Sequence, residues 1–368
     1  MQILTSLTNY MIRVLVSTLL ATVTLALITC NSKGPISVRL NNDNHGLGSN
    51  IDLSAIPQFV NASFNGTDMA WLVTYEEELL LTQDGGATWK TLPKNTIGGF
   101  KVVSFINAQR GWAVNKNGQL WRTDDGGNNW IIITEPVSNN ERLYLPSQLL
   151  FFDENHGWII DAGSIWRTEN GGVSWERVLS ITDANQTVWQ PFHITFINPM
   201  QGWVSCSDGM IHRTEDGGYT WHTQKIESNR TTFKDVQFIN QHIGWISGWP
   251  DGGIYHSDDG GNTWKRQLSG EININSIYFT TTEEGWAVGW TREVRCGISQ
   301  CGIVLHSADG GKNWHPIQIG EVEPFFDRIY FTDAQHGWLV ARDNVYRTDN
   351  GGQSWRVVLR LPPIKTSG

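Results

Sequence analysis

Apolar and polar residues alternate in short runs along most of this chain, and turn residues separate the runs. In one stretch Val102 to Asn107, Gly111 to Asn115, Gln119 to Thr123 and Asn129 to Thr134 each read as a strand, the period-two signature of a half-buried sheet. The pattern predicts four strands, here called A to D, and it recurs. An octet of Ser/Thr, any residue, Asp or Asn, Gly, Gly, two residues and Trp appears seven times: Thr82–Trp89, Thr123–Trp130, Thr168–Trp175, Thr214–Trp221, Ser257–Trp264, Ser307–Trp314 and Thr348–Trp355. Its third positions, Asp84, Asp125, Asn170, Asp216, Asp259, Asp309 and Asn350, lie 41 to 50 residues apart. Seven further tryptophans each follow a small residue: Trp71, Trp112, Trp158, Trp203, Trp245, Trp286 and Trp338. Each has a phenylalanine seven residues before it: Phe64, Phe105, Phe151, Phe196, Phe238, Phe279 and Phe331.

A four-stranded unit cannot cover both its faces alone, and about 44 residues per unit is the spacing of propeller blades. The expected fold is therefore all-β: a seven-bladed propeller over residues 57–361, four antiparallel strands per blade, an octet at every C–D turn and no strand exchanged at closure. Gly-Gly supplies the positive φ of the turn. The Asp or Asn oxygen accepts backbone N–H groups within it, and the Trp packs back on the sheet. Seven copies of one carboxylate in seven turns are structural, and Asp124-Asp125-Gly126 lacks the bidentate acid and helices of a calcium loop.

Composition changes this picture little. Thirty-eight glycines and nineteen tryptophans fit many tight turns and a repeated packing role. A net charge of −9 with no basic stripe gives nucleic acid no footprint. Nothing calls for a cofactor or a metal.

The N-terminus changes more. Arg13, with Met11 as an alternative start, precedes the apolar run Val14–Thr29, whose 16 residues suit a signal peptide and are short for a membrane span. The run ends Leu27-Ile28-Thr29-Cys30, which resembles a bacterial lipoprotein box except at Thr29, where Gly, Ala or Ser is usual. The resemblance implies cleavage after residue 29 and a lipid on the Cys30 sulfur; an ordinary cleaved signal and an uncleaved anchor are the alternatives. The chain then divides into a leader (1–29), a linker (30–56) in which 35–40 could add an outer strand, the propeller (57–361) and a tail (362–368). It is expected to be exported and membrane-anchored, facing periplasm, extracellular side or thylakoid lumen. Cys296 and Cys301, five positions apart in one insertion, suit a disulfide in an oxidising compartment. A metal there would want a His or a second Cys pair nearby. Cys206 is left single, expected buried.

The octets are identified as Asp-box, or BNR, repeats. Stretches such as Gly337-Trp338-Leu339-Val340 and Val345-Tyr346-Arg347-Thr348-Asp349-Asn350-Gly351-Gly352 resemble the photosystem II stability/assembly factor family. That resemblance implies a non-catalytic scaffold for a membrane-associated protein or an extended peptide. It also implies an arginine-rich binding surface, to which the column preceding each box (Leu81, Arg122, Arg167, Arg213, His256, His306, Arg347) offers candidates; packing against a Trp or carboxylate is the other reading of that column. Asp boxes also occur in sialidases and polysaccharide hydrolases. A sialidase needs three arginines around its substrate and usually has six blades. A hydrolase needs two facing carboxylates, and Asp235 and Asp327 begin strands of nonadjacent blades.

Binding chemistry is expected on the face of the D–A and B–C loops, opposite the boxes. Three residues before each repeat Phe stand Asn61, Val102, Gln148, His193, Asp235, Ser276 and Arg328, near the channel mouth, with Lys101, Lys234 and Asp327 one residue earlier. Trp189 falls in the D–A loop entering blade 4, and Trp249 and Trp290 in the B–C loops of blades 5 and 6. The longest insertion, with 28 residues between the two tryptophans of its unit against 17 to 19 elsewhere, adds Arg292 and Arg295. The expected partner site comprises Trp189, Trp249, Trp290, Arg292, Arg295, His193, Asp235 and Arg328.

Overall fold

The computed structural model describes residues 59–92, 98–134, 146–161, 163–180, 190–226, 231–250, 253–292, 300–320 and 322–361. These form 28 strands in seven sheets, each built from four consecutive antiparallel strands, with no helix among the described residues. The fold is a seven-bladed propeller. Blade 1 begins at Phe59 and blade 7 ends at Arg360, each a complete A-to-D sheet, so among the described residues closure exchanges no strand. Positions 35–40, and with them the outer-strand expectation, lie outside the described residues, as do Cys30 and Cys296.

Strand A is innermost, and a shared cavity is lined by the A strands of all seven blades. These strands are Phe59–Asn65, Phe100–Phe105, Pro146–Phe151, Pro191–Phe196, Thr232–Phe238, Ile272–Phe279 and Phe326–Phe331. In blade 2 the strand starts at Phe100, two residues before the expected Val102. The cause is a bulge at a common place: the A–B register shifts at Phe59/Asn61, Phe100/Val102, Pro191/His193, Phe233/Asp235, Ile274/Ser276 and Phe326/Arg328, and opposite Ile160/Asp161 in blade 3. An extra residue breaks the period of two.

Each octet joins C to D. In the first, the Thr82 hydroxyl donates to Asp84 Oδ1 (2.8 Å) and accepts from the Gly86 N–H (2.9 Å); the Thr88 N–H donates to the same carboxylate (2.9 Å). Asn170 and Asn350 do this with their amide oxygens, accepting from Ser174 N (2.9 Å) and Ser354 N (3.0 Å). Gly85 and Gly86 stand at φ of 67° and 85°, where a side chain is strained.

The strand-B tryptophans hold blade to blade. Trp71, Trp112, Trp158, Trp203 and Trp245 donate their indole N–H to the first box glycine of the next blade at 2.9–3.1 Å. Each ring also stacks on the next blade's repeat phenylalanine, at 3.5–3.9 Å between centroids. The ring closes between blades 7 and 1 through Trp89, whose indole N–H donates to Val358 O (2.9 Å), and through Arg347, which donates to Thr67 O.

Candidate functional site

The bulge has a consequence at the channel mouth. It turns two neighbouring residues of strand A away from the blade interior, which gives Asp327 and Arg328 a shared cavity of about 440 Å³. His193, Asp235, Arg328, Asn61, Gln148 and Ser276 line it, so the polar column of the sequence is brought together; Val102 is instead buried in the blade 2–3 interface. Deeper in, the position two residues on contributes Tyr278 and Tyr330, in edge contact at 5.1 Å, with Phe64 stacked on Tyr330 at 5.1 Å. Burial raises the phenol pKa of both tyrosines. Neither tyrosine belongs to the expected site; counting by two from the polar column is the sequence signal that reaches this second ring.

Much of the column stitches blades together. Asn61 Oδ1 accepts the Val103 N–H (2.9 Å), and Gln148 makes two bonds to the backbone of Ile194 (2.8 and 3.0 Å). Asp235 is the most committed: Oδ2 accepts from the Ser276 hydroxyl (2.8 Å) and the Ile277 N–H (3.0 Å), and Oδ1 faces His193 Nδ1 at 2.8 Å. Burial pushes its pKa up, but His193, Arg328 and Ser276 together hold it below the ordinary value. Hence the carboxylate stays ionised as a brace across blades 4, 5 and 6.

A second group sits beside the mouth on blades 5 and 6. The structure corrects the placing of its tryptophans: Trp249 is the last residue of strand B in blade 5 (Gly244–Trp249) and Trp290 lies inside strand B of blade 6 (Gly285–Thr291), not in B–C loops. The reason is that the A strands of these blades are longer too, so Trp249 pairs with Thr232, and Trp290 with Asn273 and Gly302. Both indoles are half-buried and meet edge to face at 6.5 Å. Lys234, a bulge residue, lies over the rings of Phe192 (3.7 Å) and Trp249 (4.2 Å), and Arg292 lies over Trp290 at 5.3 Å. Burial lowers the Lys234 pKa to about 8, against the pull of Asp327. Phe192 and Lys234 are members of this group that hydrophobic patterning alone does not single out. Trp189 and Arg295 lie outside the described residues. Cys301 is disulfide-bonded, and Cys206 is free and buried.

In the column before the boxes Arg167 and Arg347 are buried and Arg122 and Arg213 half-buried, and each arginine pairs with a neighbouring side chain. Arg167 bonds Glu169 and lies over the Tyr219 ring (4.2 Å), Arg213 bonds Glu215 and Asn262, and Arg347 lies over Trp338 (4.8 Å) and bonds Asp349. His256 and His306 tilt against Trp245 and Trp286, at 5.2 and 5.0 Å.

The family model described as photosynthesis system II assembly factor YCF48 matches residues 47–182, 92–224, 181–272 and 232–357, overlapping spans that take in most of the chain. The chain belongs to this family. No curated protein sequence matches it. Among solved structures, YCF48 from Cyanidioschyzon merolae superposes with a TM-score of 0.62 at 20% identity, covering 80% of this chain and 96% of that one. A YCF48 bound to D1 peptide gives 0.61 at 21% identity, over 80% and 94%. The GH74 enzyme of Niastella koreensis gives 0.64 at 14% identity, covering 83% of this chain but 54% of the enzyme. At such identities the likeness is one of fold.

Proposed function

We propose that this assembly-factor-family propeller is a non-catalytic, exported scaffold that holds an extended segment of a membrane-associated protein at the mouth beside blades 4 to 6. One observation carries the reading. Trp249 and Trp290 form a half-exposed aromatic wall, capped by Lys234 and Arg292, that takes no part in the Trp–Phe stacks between blades. Indoles so placed gain from being covered, and cations beside them suit acidic or carbonyl groups of a peptide. A family relative is described as bound to D1 peptide, which supports the partner class. Anchoring through Cys30 would hold the chain at the membrane that contains such a partner.

Glycoside hydrolysis is the competing reading. Asp235 and Asp327 both line the cavity, but Asp235 has both carboxylate oxygens engaged by Ser276, Ile277 and His193. The chain also spans about half the length of the GH74 enzyme it superposes on. In the sialidase reading the mouth column would have to supply three arginines, and it contains Arg328 alone.

Affinity capture from detergent-solubilised host membranes tests the proposal. The full chain should retain a membrane protein that the Trp249→Ala/Trp290→Ala variant releases. Equal retention by both would remove this site from consideration. Release of reducing sugar from polysaccharide, abolished by Asp327→Asn, would replace the scaffold reading with the enzymatic one.

A further inference from the structure

The channel cavity has charged groups that make no hydrogen bond in the brace between blades. Asn61, Gln148, Asp235 and Ser276 bond to the backbone of a neighbouring blade, and His193 faces Asp235. Asp327 and Arg328 do not. Among the described residues neither makes a hydrogen bond or a contact ion pair, although both line the cavity and both are half-buried. Their interactions are with the field of their neighbours: Asp327 with Arg328, Lys234 and Asp235. Burial raises the Asp327 carboxyl above its ordinary value against the pull of Arg328 and Lys234.

We propose that this cavity is a binding site for a small zwitterion of the α-amino acid class, its carboxylate on Arg328 and its ammonium on Asp327. Three features select that chemistry. A guanidinium offers five donors in a planar fork that matches a carboxylate, and here all five are free of partners in the described protein. A carboxylate stands one residue away on the same bulge, so a ligand of a single sign would bring a like charge against one member of the pair. Tyr278, Tyr330 and Phe64 also line the cavity and give an apolar side chain an aromatic surface to pack on. A volume of about 440 Å³ is within the range of small-molecule sites.

This site is separate from the aromatic wall, since Trp249 and Trp290 are not among the cavity's lining residues. Isothermal titration of the full chain with L-leucine, N-acetyl-L-leucine and L-leucinamide tests it. L-leucine should bind saturably, and each derivative, lacking one of the two charges, should bind at least about tenfold more weakly. Arg328→Gln and Asp327→Asn should each lose about the same factor while melting as the parent does. The Trp249→Ala/Trp290→Ala variant should bind L-leucine normally, so failure here leaves the peptide reading standing. No saturable heat with L-leucine, or equal binding of either derivative, overturns the proposal. Because the derivatives change the ligand and not the protein, they decide the matter even where a variant folds poorly.

Discussion

The indole of Trp245 in blade 5 lies flat on the ring of Phe279 in blade 6, 3.5 Å between centroids and 6° from parallel. The box tryptophan of blade 6, Trp314, meets the same phenylalanine edge-on at 5.8 Å. Beneath it Gly285 leaves room: a Cβ there would come within 2.3 Å of the Phe279 ring. The small residue before each strand-B tryptophan thus accommodates its own blade's phenylalanine, which the neighbouring blade then covers. Blade 1 departs from this, with Ala70 in place of glycine. Its Phe64 is half-buried and meets Trp338 at 5.6 Å and 29°.

Interfaces built this way should differ in strength. Phe279→Ala removes a buried ring from a stack and should cost about 3–5 kcal/mol. Phe64→Ala, at the looser closure, should cost about 2 kcal/mol or less. Urea denaturation of the two variants checks the order. A larger loss for Phe64 would mean that closure, not the internal stacks, limits the ring.

The Asp boxes predict acid sensitivity. The hydroxyl and N–H of Thr88 hold Asp84 at about 2, and burial, which pushes Asp216 and Asp259 up, is outweighed by Thr220 and Thr263, leaving both at about 2. A carboxyl whose folded pKa is depressed stabilises fully above its unfolded value of about 4. That contribution is lost as pH falls from about 4 to about 2. Asp216→Asn should cost within about 1 kcal/mol at neutral pH, since Asn serves in two boxes, and should flatten the acid limb of the stability curve. An unchanged acid limb in a melting series from pH 2 to 7 would assign the sensitivity to other groups.

Cys206 is fully buried in strand B of blade 4, and burial pushes its thiol pKa up. It should resist thiol reagents in the native protein and react on unfolding. Labelling followed through a denaturant series then reports the opening of blade 4, and prompt native labelling would contradict its burial.

Blade number, strand order and turn placement were legible in the sequence because they repeat seven times, and each repeat states the same packing requirement. The polar column was legible for the same reason, since Asn61, Gln148, His193, Asp235, Ser276 and Arg328 keep a fixed distance from a repeat phenylalanine. The bulge was not, because any residue type tolerates it and it shows only as a break in pairing. So Asp327 and Lys234 are placed near the mouth by sequence, but not their sharing of surroundings with Arg328 and Trp249. The ends of strands B in blades 5 and 6 were missed because pairing with longer A strands, not local turn residues, decides where they stop.

Trp249 and Trp290 separate a structural from a binding role. Both indoles are half-buried, the Trp249 N–H has no hydrogen-bond partner among the described residues, and their ring contacts include each other, Lys234 and Arg292. By contrast Trp245, four residues before Trp249, is fully buried and bonded to Gly310 O. Trp245→Ala should therefore destabilise the ring by about 3–5 kcal/mol. Trp249→Ala and Trp290→Ala together should shift the melting temperature little. Removing Trp249 also uncovers Lys234, whose pKa should move from about 8 back toward that of a free lysine. If these indoles anchor a partner, each should contribute about 1–3 kcal/mol to its capture. Differential scanning calorimetry beside quantitative capture distinguishes the cases. A double variant that melts as low as Trp245→Ala would make the pair core residues, and one that melts normally and captures normally would move the docking face elsewhere on the ring.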